Sequence, residues 1–133
     1  MSIEAKYEMI LPIIVKADDG VKWWMDPVAA GGAMESPDIE AGIYSAWDSR
    51  GQMIHIGPMD DGGNQPRNAK FMGIWSHDVT CGKLLGSGIQ EPEALRQVIL
   101  FHLTERLSAN VSMDMSLAAA VDLLCFLEPA ANS

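Results

Sequence analysis

The spacing of apolar residues changes once along this chain, near residue 89, and that change limits the fold more than any other feature. Before it, short β-branched and aromatic runs alternate with Gly, Pro and Asp turns, the pattern of strands. After it, apolar residues recur every three or four positions, the pattern of helices. Strands first and helices last predict an α+β fold, an antiparallel sheet with a helix pair packed on one face.

The strand half can be divided further. Tyr7 to Lys16 reads as part of a first strand over 6–16, with Pro12 marking an edge, bulge or break because proline has no N–H to give a ladder. Asp18-Asp19-Gly20 is a turn, and residues 21–25 form the returning strand, ended by Asp26-Pro27. Residues 27–40, with Pro27, Gly31, Gly32 and Pro37, read as a long loop. The firmest element is a hairpin of residues 41–47 and 52–57 around Asp48-Ser49-Arg50-Gly51, where Gly51 supplies a left-handed turn position. Residues 70–76 read as another strand and Gly82 to Leu85 as a short last one, with Gly86-Ser87-Gly88 closing the sheet.

The helical half has two segments. Residues 91–108 begin at Pro92, which suits a first helical turn, and carry the stripe Leu95, Val98, Ile99, His102, Leu103 and Leu107. Residues 113–127 follow an expected N-cap at Ser112 and are apolar nearly all round, apart from Asp122. Such a helix is sandwiched in a core or covered by a second subunit.

At 133 residues and 48% hydrophobic composition, the expectation is one domain over 1–133 that folds without a disulfide framework or a metal. Met1-Ser2-Ile3-Glu4 carries no secretory pattern, and Leu117 to Leu127 is too short to span a bilayer, so the expected setting is cytoplasmic.

Charge narrows the function classes. The net charge is -9, and residues 18–61 hold nine acids and only two bases. Phosphate neutralisation needs a basic face, which argues against nucleic acid and against an anionic membrane surface as partners. A basic protein partner is favoured.

Several groups carry chemistry in principle. His77-Asp78-Val79-Thr80-Cys81 holds the ingredients of an activated thiol, and His55 or His102 could extend it to a zinc set, but its spacing matches no nucleophile or metal signature. Asp60-Asp61-Gly62-Gly63-Asn64 lacks the alternating ligands and the later Glu of a calcium loop. Gly82-Lys83-Leu84-Leu85-Gly86-Ser87-Gly88 lacks phosphate-loop order. No catalytic residue, metal or cofactor is therefore expected. Trp23-Trp24 is the main binding feature: in a strand the two indoles point to opposite faces, so one is expected outside the core beside Asp18, Asp19 and Asp26.

The expected partner surface is Asp18, Asp19, Trp23, Trp24, Asp26, Asp48, Asp60 and Asp61. The leading expectation is a protein-binding module of the immunity or antitoxin type that docks on a basic partner such as a toxin. Two others compete with it: a small enzyme or ligand-binding domain using His77, Asp78 and Cys81, and a homodimer through an outer Val121, Leu124 and Phe126 face of the C-terminal helix.

Overall fold

The computed structural model describes residues 8–34, 38–39, 41–58 and 82–131. Five strands, β1 (Ile13–Ala17), β2 (Gly20–Trp24), β3 (Ser45–Trp47), β4 (Gln52–Pro58) and β5 (Gly82–Gln90), form one antiparallel sheet in the order β2-β1-β3-β4-β5. Helix α1 (Pro27–Gly32) lies between β2 and β3, and α2 (Pro92–Glu105) and α3 (Leu117–Leu127) follow β5. The fold is α+β, with the two C-terminal helices on one face of the sheet, as the change in spacing predicts.

Strand alternation sends side chains to two cores. On the α2–α3 face, Ile14, Val21 and Trp47 pack against Leu95, Ile99 and Leu103 from α2 and Val121 and Leu124 from α3. Leu95, Ile99 and Leu103 are fully buried at four-residue spacing, each contributing roughly 1.5–3 kcal/mol by burial. On the other face, Ile13, Val15, Trp24, Ala46, Ile54 and Leu84 pack under Ala30 and Met34. Neighbours Ile13 and Ile14 thus serve different cores.

Several boundaries differ from the sequence reading. The first strand begins at Ile13, just after Pro12; residues before it are held by hydrogen bonds to the β3–β4 turn instead of by a ladder with β2. The expected loop over 27–40 contains α1, because Asp26 is also an N-cap, its carboxylate accepting from Val28 N–H at 3.1 Å with Pro27 at the first helical position. The strand expected over 41–47 is paired only from Ser45, since Gly42 turns the chain at φ +74. β5 does not stop at Gly86-Ser87-Gly88. It continues to Gln90 through a register shift opposite Gln52 and Ile54, with the Ser87 hydroxyl donating to Met53 O at 2.6 Å. Helix α3 starts at Leu117, not near 113, because Ser116 accepts from Ala119 N–H at 3.1 Å and is the cap. The strand expected at 70–76 lies outside the described residues.

Arg96 ties α2 to the connection that leads into α3. Its guanidinium donates to Met113 O (2.8 Å) and Met115 O (3.0 Å) while pairing with Glu93 at 2.8 Å. The hydrogen bonds from Arg96 and Gln97 lower the Glu93 pKa from 4.5 to about 2. A carboxylate whose folded pKa is depressed contributes fully above its unfolded value and loses that contribution as pH falls through the folded one. A Glu93→Gln variant is therefore expected to lose less stability than the wild type on acidification from pH 4.5 to about 2, measured by chemical denaturation at stepped pH. Equal losses would refute the assignment.

Candidate functional site

Of the sequence-predicted acids that the structure describes, Asp18, Asp19 and Asp26 are exposed and Asp48 is buried. Asp18 and Asp19 occupy the two-residue turn between β1 and β2, where Ala17 pairs with Gly20. Gly20 has φ +129, and a side chain there would meet the His102 ring at 3.2 Å, so the turn lies directly against α2. Arg106, at the end of α2, donates to Asp19 O (3.2 Å) and Asp18 O (3.4 Å). The guanidinium thus holds the turn by its carbonyls. Both aspartates are exposed, and their carboxylates make no ion pair among the described residues.

His102 fixes the same corner from inside. It is buried, its Nδ1 accepts from Val21 N–H at 3.3 Å, and its Nε2 lies 2.9 Å from Glu128 Oε1. Accepting at Nδ1 places the ring proton on Nε2, which donates to Glu128. The imidazole therefore joins β2, α2 and the segment after α3, a structural role that leaves neither nitrogen for a metal.

The remaining candidates divide by burial. Asp48 is 1% exposed and belongs to the interior: Oδ1 accepts from Arg50 N–H (3.0 Å) and Gln52 N–H (2.9 Å), Oδ2 from Ile10 N–H and Gln52 Nε2 (both 3.0 Å). It is thereby removed from the acidic surface. Trp24 is 5% exposed, in the core under α1. Trp23 is half-buried on the other face, its Nε1 donating to Glu128 O at 3.0 Å. The two indoles do part to opposite faces, but neither stands clear of the protein. Asp26 is exposed and caps α1. Asp60, Asp61, His77, Asp78 and Cys81 lie outside the described residues.

The Asp18–Asp19 turn stands between two clefts. One, about 280 Å³, lies on the α1 face and includes Asp18, Asp19, Asp38, Lys22, Trp24 and Tyr44 in its wall. The other, about 360 Å³, lies on the helix face, where Asp18 and Lys16 meet Val98, the exposed Phe101 and Arg106. Asp38 and Tyr44 were not among the sequence candidates. Tyr44 O–H donates to Asp38 Oδ2 at 3.5 Å, a long bond that marks their shared place in the wall. Only the concentration of acids between 18 and 61 hinted at Asp38.

Elsewhere the chemistry is sparse. Among the described residues, no group of three or more His, Cys, Asp or Glu is placed to hold a metal ion. Cys125 is a half-buried free thiol whose pKa is raised by burial and then by Asp122, which disfavours the reactive thiolate. Of the outer face required for a helix-mediated dimer, Val121 and Leu124 are in the core and Phe126 is 83% exposed. Among the described residues, no helix is long and apolar enough to cross a membrane.

Comparison with protein families, characterised proteins and solved structures finds no match for the chain.

Proposed function

We propose that this protein is a binding module of the immunity or antitoxin type, which docks a basic partner protein on the surface centred on the Asp18–Asp19 turn. The observation that carries this reading is the use Arg106 makes of the turn. Its guanidinium bonds the backbone carbonyls of Asp18 and Asp19 and, among the described residues, makes no ion pair with their carboxylates. The turn is held in place, and two exposed carboxylates remain for a cationic surface.

Inhibitors of this kind need no chemistry of their own. They need carboxylates on an ordered scaffold, a field that steers a cationic partner, and clefts beside the contact that accept side chains. The net charge of -9 and the two clefts flanking the turn supply these features. The buried His102 and the Arg106 contacts limit the turn's freedom before binding, which lowers the ordering cost of association.

The test is capture of the partner by tagged wild-type protein, followed by hydrogen–deuterium exchange on the purified complex. Protection is expected over residues 17–22 and 38–44, and the Asp18→Asn/Asp19→Asn variant should capture at least about tenfold less, as for loss of a charged contact near an interface centre. Protection confined to α3 and Phe126, with the turn still exchanging freely, would replace this reading with a helix-mediated assembly.

A further inference from the structure

The cleft on the helix face reverses the charge balance of the chain. Its wall carries two permanent cations, Lys16 and Arg106, against one carboxylate, Asp18, although acids outnumber bases 18 to 9 over the whole sequence. Strand alternation puts Lys16 on the same face as Ile14, the face that packs against α2. The Arg106 head group is located by its bonds to Asp18 O and Asp19 O, and Asp18 belongs to the same wall. Those two bonds leave three of the five guanidinium N–H donors for other acceptors. Neither Lys16 nor Arg106 is in an ion pair among the described residues. The rest of the wall is mainly apolar. Val98 and Phe101, three positions apart, share one face of α2, and Val21 of β2 lines the cleft with them. Phe101 is 62% exposed. A single exposed apolar residue signifies little, but this one shares a cleft with two unpaired cations.

We infer that this cleft binds an amphiphilic anion, a small carboxylic acid with an aromatic or branched aliphatic body. The carboxylate accepts from Lys16 and Arg106, and the body lies against Val21, Val98 and Phe101. At about 360 Å³ the cleft falls within the roughly 300–1,000 Å³ typical of small-molecule sites, which combine apolar walls with a few charged groups that fix orientation. Arg106 is held by two carbonyls before any ligand arrives, so less freedom is lost when it binds one. Other occupants fit less well. A cationic ligand meets two like charges, a small inorganic anion leaves the apolar wall uncovered, and a neutral apolar ligand desolvates the cations without pairing them. The inference stands apart from the docking reading, because Asp18 acts with opposite sign in the two: it attracts a basic partner and repels this ligand.

The probe is hydrocinnamate, titrated into the 15N-labelled full chain and followed through the backbone amides. The expected result is saturable shifts confined to residues 16–21 and 97–106. The neutral hydrocinnamide should bind at least about fivefold more weakly, as loss of a charge-assisted contact predicts, and the cationic phenylpropylamine more weakly still. Acetate, which has the carboxylate without the body, should bind at least about tenfold more weakly than hydrocinnamate. Lys16→Gln and Phe101→Ala change exposed side chains, and each should weaken the probe severalfold in a protein that unfolds like the wild type. Asp18→Asn should tighten the probe by removing a like charge. The absence of saturable shifts, shifts centred outside the two segments, equal binding of the amide, or a Phe101→Ala protein that binds like the wild type would each overturn the inference. The docking reading fails separately: Asp18→Asn is expected to tighten the probe but to contribute to weaker capture of the partner, so each reading is contradicted by its own measurement.

Discussion

Asp48→Ala is expected to lower the stability of the protein by about 4 kcal/mol, which for a chain of this size corresponds to a fall in Tm of roughly 10 °C or more. The carboxylate is 1% exposed and accepts four hydrogen bonds, two at each oxygen. These bonds hold three parts of the chain together. Two close the β3–β4 turn through Arg50 and Gln52, one reaches back to Ile10, and one orients the Gln52 side chain. Gln52 extends the connection, donating from Nε2 to Glu8 O at 3.0 Å and accepting from Gly88 N–H at 2.8 Å. Removing the carboxylate leaves donors buried without acceptors, which costs more than an ordinary lost hydrogen bond. Asp48→Asn gives a sharper test. It can keep an acceptor for Arg50 and Gln52 N–H at the Oδ1 position but places an NH₂ where two donors already point. About half of the loss should return, on the order of 2 kcal/mol. Equilibrium urea unfolding of both variants measures this, and an alanine variant within 1 kcal/mol of the wild type would show that the network is not structural.

Gly51→Ala should cost roughly 3 kcal/mol or more, through two effects that add. Gly51 has φ +91, a conformation in which a Cβ is strained, and a Cβ there would run into the Pro92 backbone, whose nitrogen is 2.8 Å away. Pro92 opens α2, and Glu91 N–H donates to Gly51 O at 2.7 Å, so the clash would push the helix from the hairpin it rests on. Gly42 supplies the control. It too has positive φ, at +74, but a Cβ there meets nothing within 4 Å. Gly42→Ala should cost only about 1 kcal/mol, the conformational part alone. Thermal or urea unfolding separates the two variants, and equal costs would remove the contact with Pro92 from the explanation.

These two predictions mark the limit of what local sequence revealed. The turn chemistry of Asp18-Asp19-Gly20 and Asp48 to Gly51, and the α2 stripe Leu95, Ile99 and Leu103, were legible because neighbouring residues set them. Asp26-Pro27 was only half legible: the pair that ends β2 also caps and starts α1, and a helix of six residues has too little periodicity to announce itself. The glycines of β5 look like a terminator but continue the strand, because its register shift and the Gln52 side chain accommodate them.

The site was harder to read for one physical reason. Asp48 looks like a solvated turn aspartate until Ile10, 38 positions away, crosses over it. The Asp18–Asp19 turn looks like a loose acidic tip until Arg106, 87 positions from Asp19, reaches its carbonyls. Trp24 reads as a surface anchor until Ala30 and Met34 cover it. Each of these contacts is non-local, and no spacing rule reports it. The acidity of residues 18–61 was visible from the start, but which carboxylates are internal and which are exposed is decided by these crossings.

The measurement closest to the central claim is the association rate of the protein with its captured partner at low and high salt, compared with Asp18→Asn/Asp19→Asn. Exposed carboxylates attract a basic surface over a distance that salt shortens, to about 8 Å at physiological ionic strength. The wild-type rate should therefore fall about tenfold or more between roughly 20 and 500 mM salt, and the variant should start slower and respond less. A wild-type association rate that ignores salt, or a double variant that associates like the wild type at every salt concentration, would contradict docking at this turn.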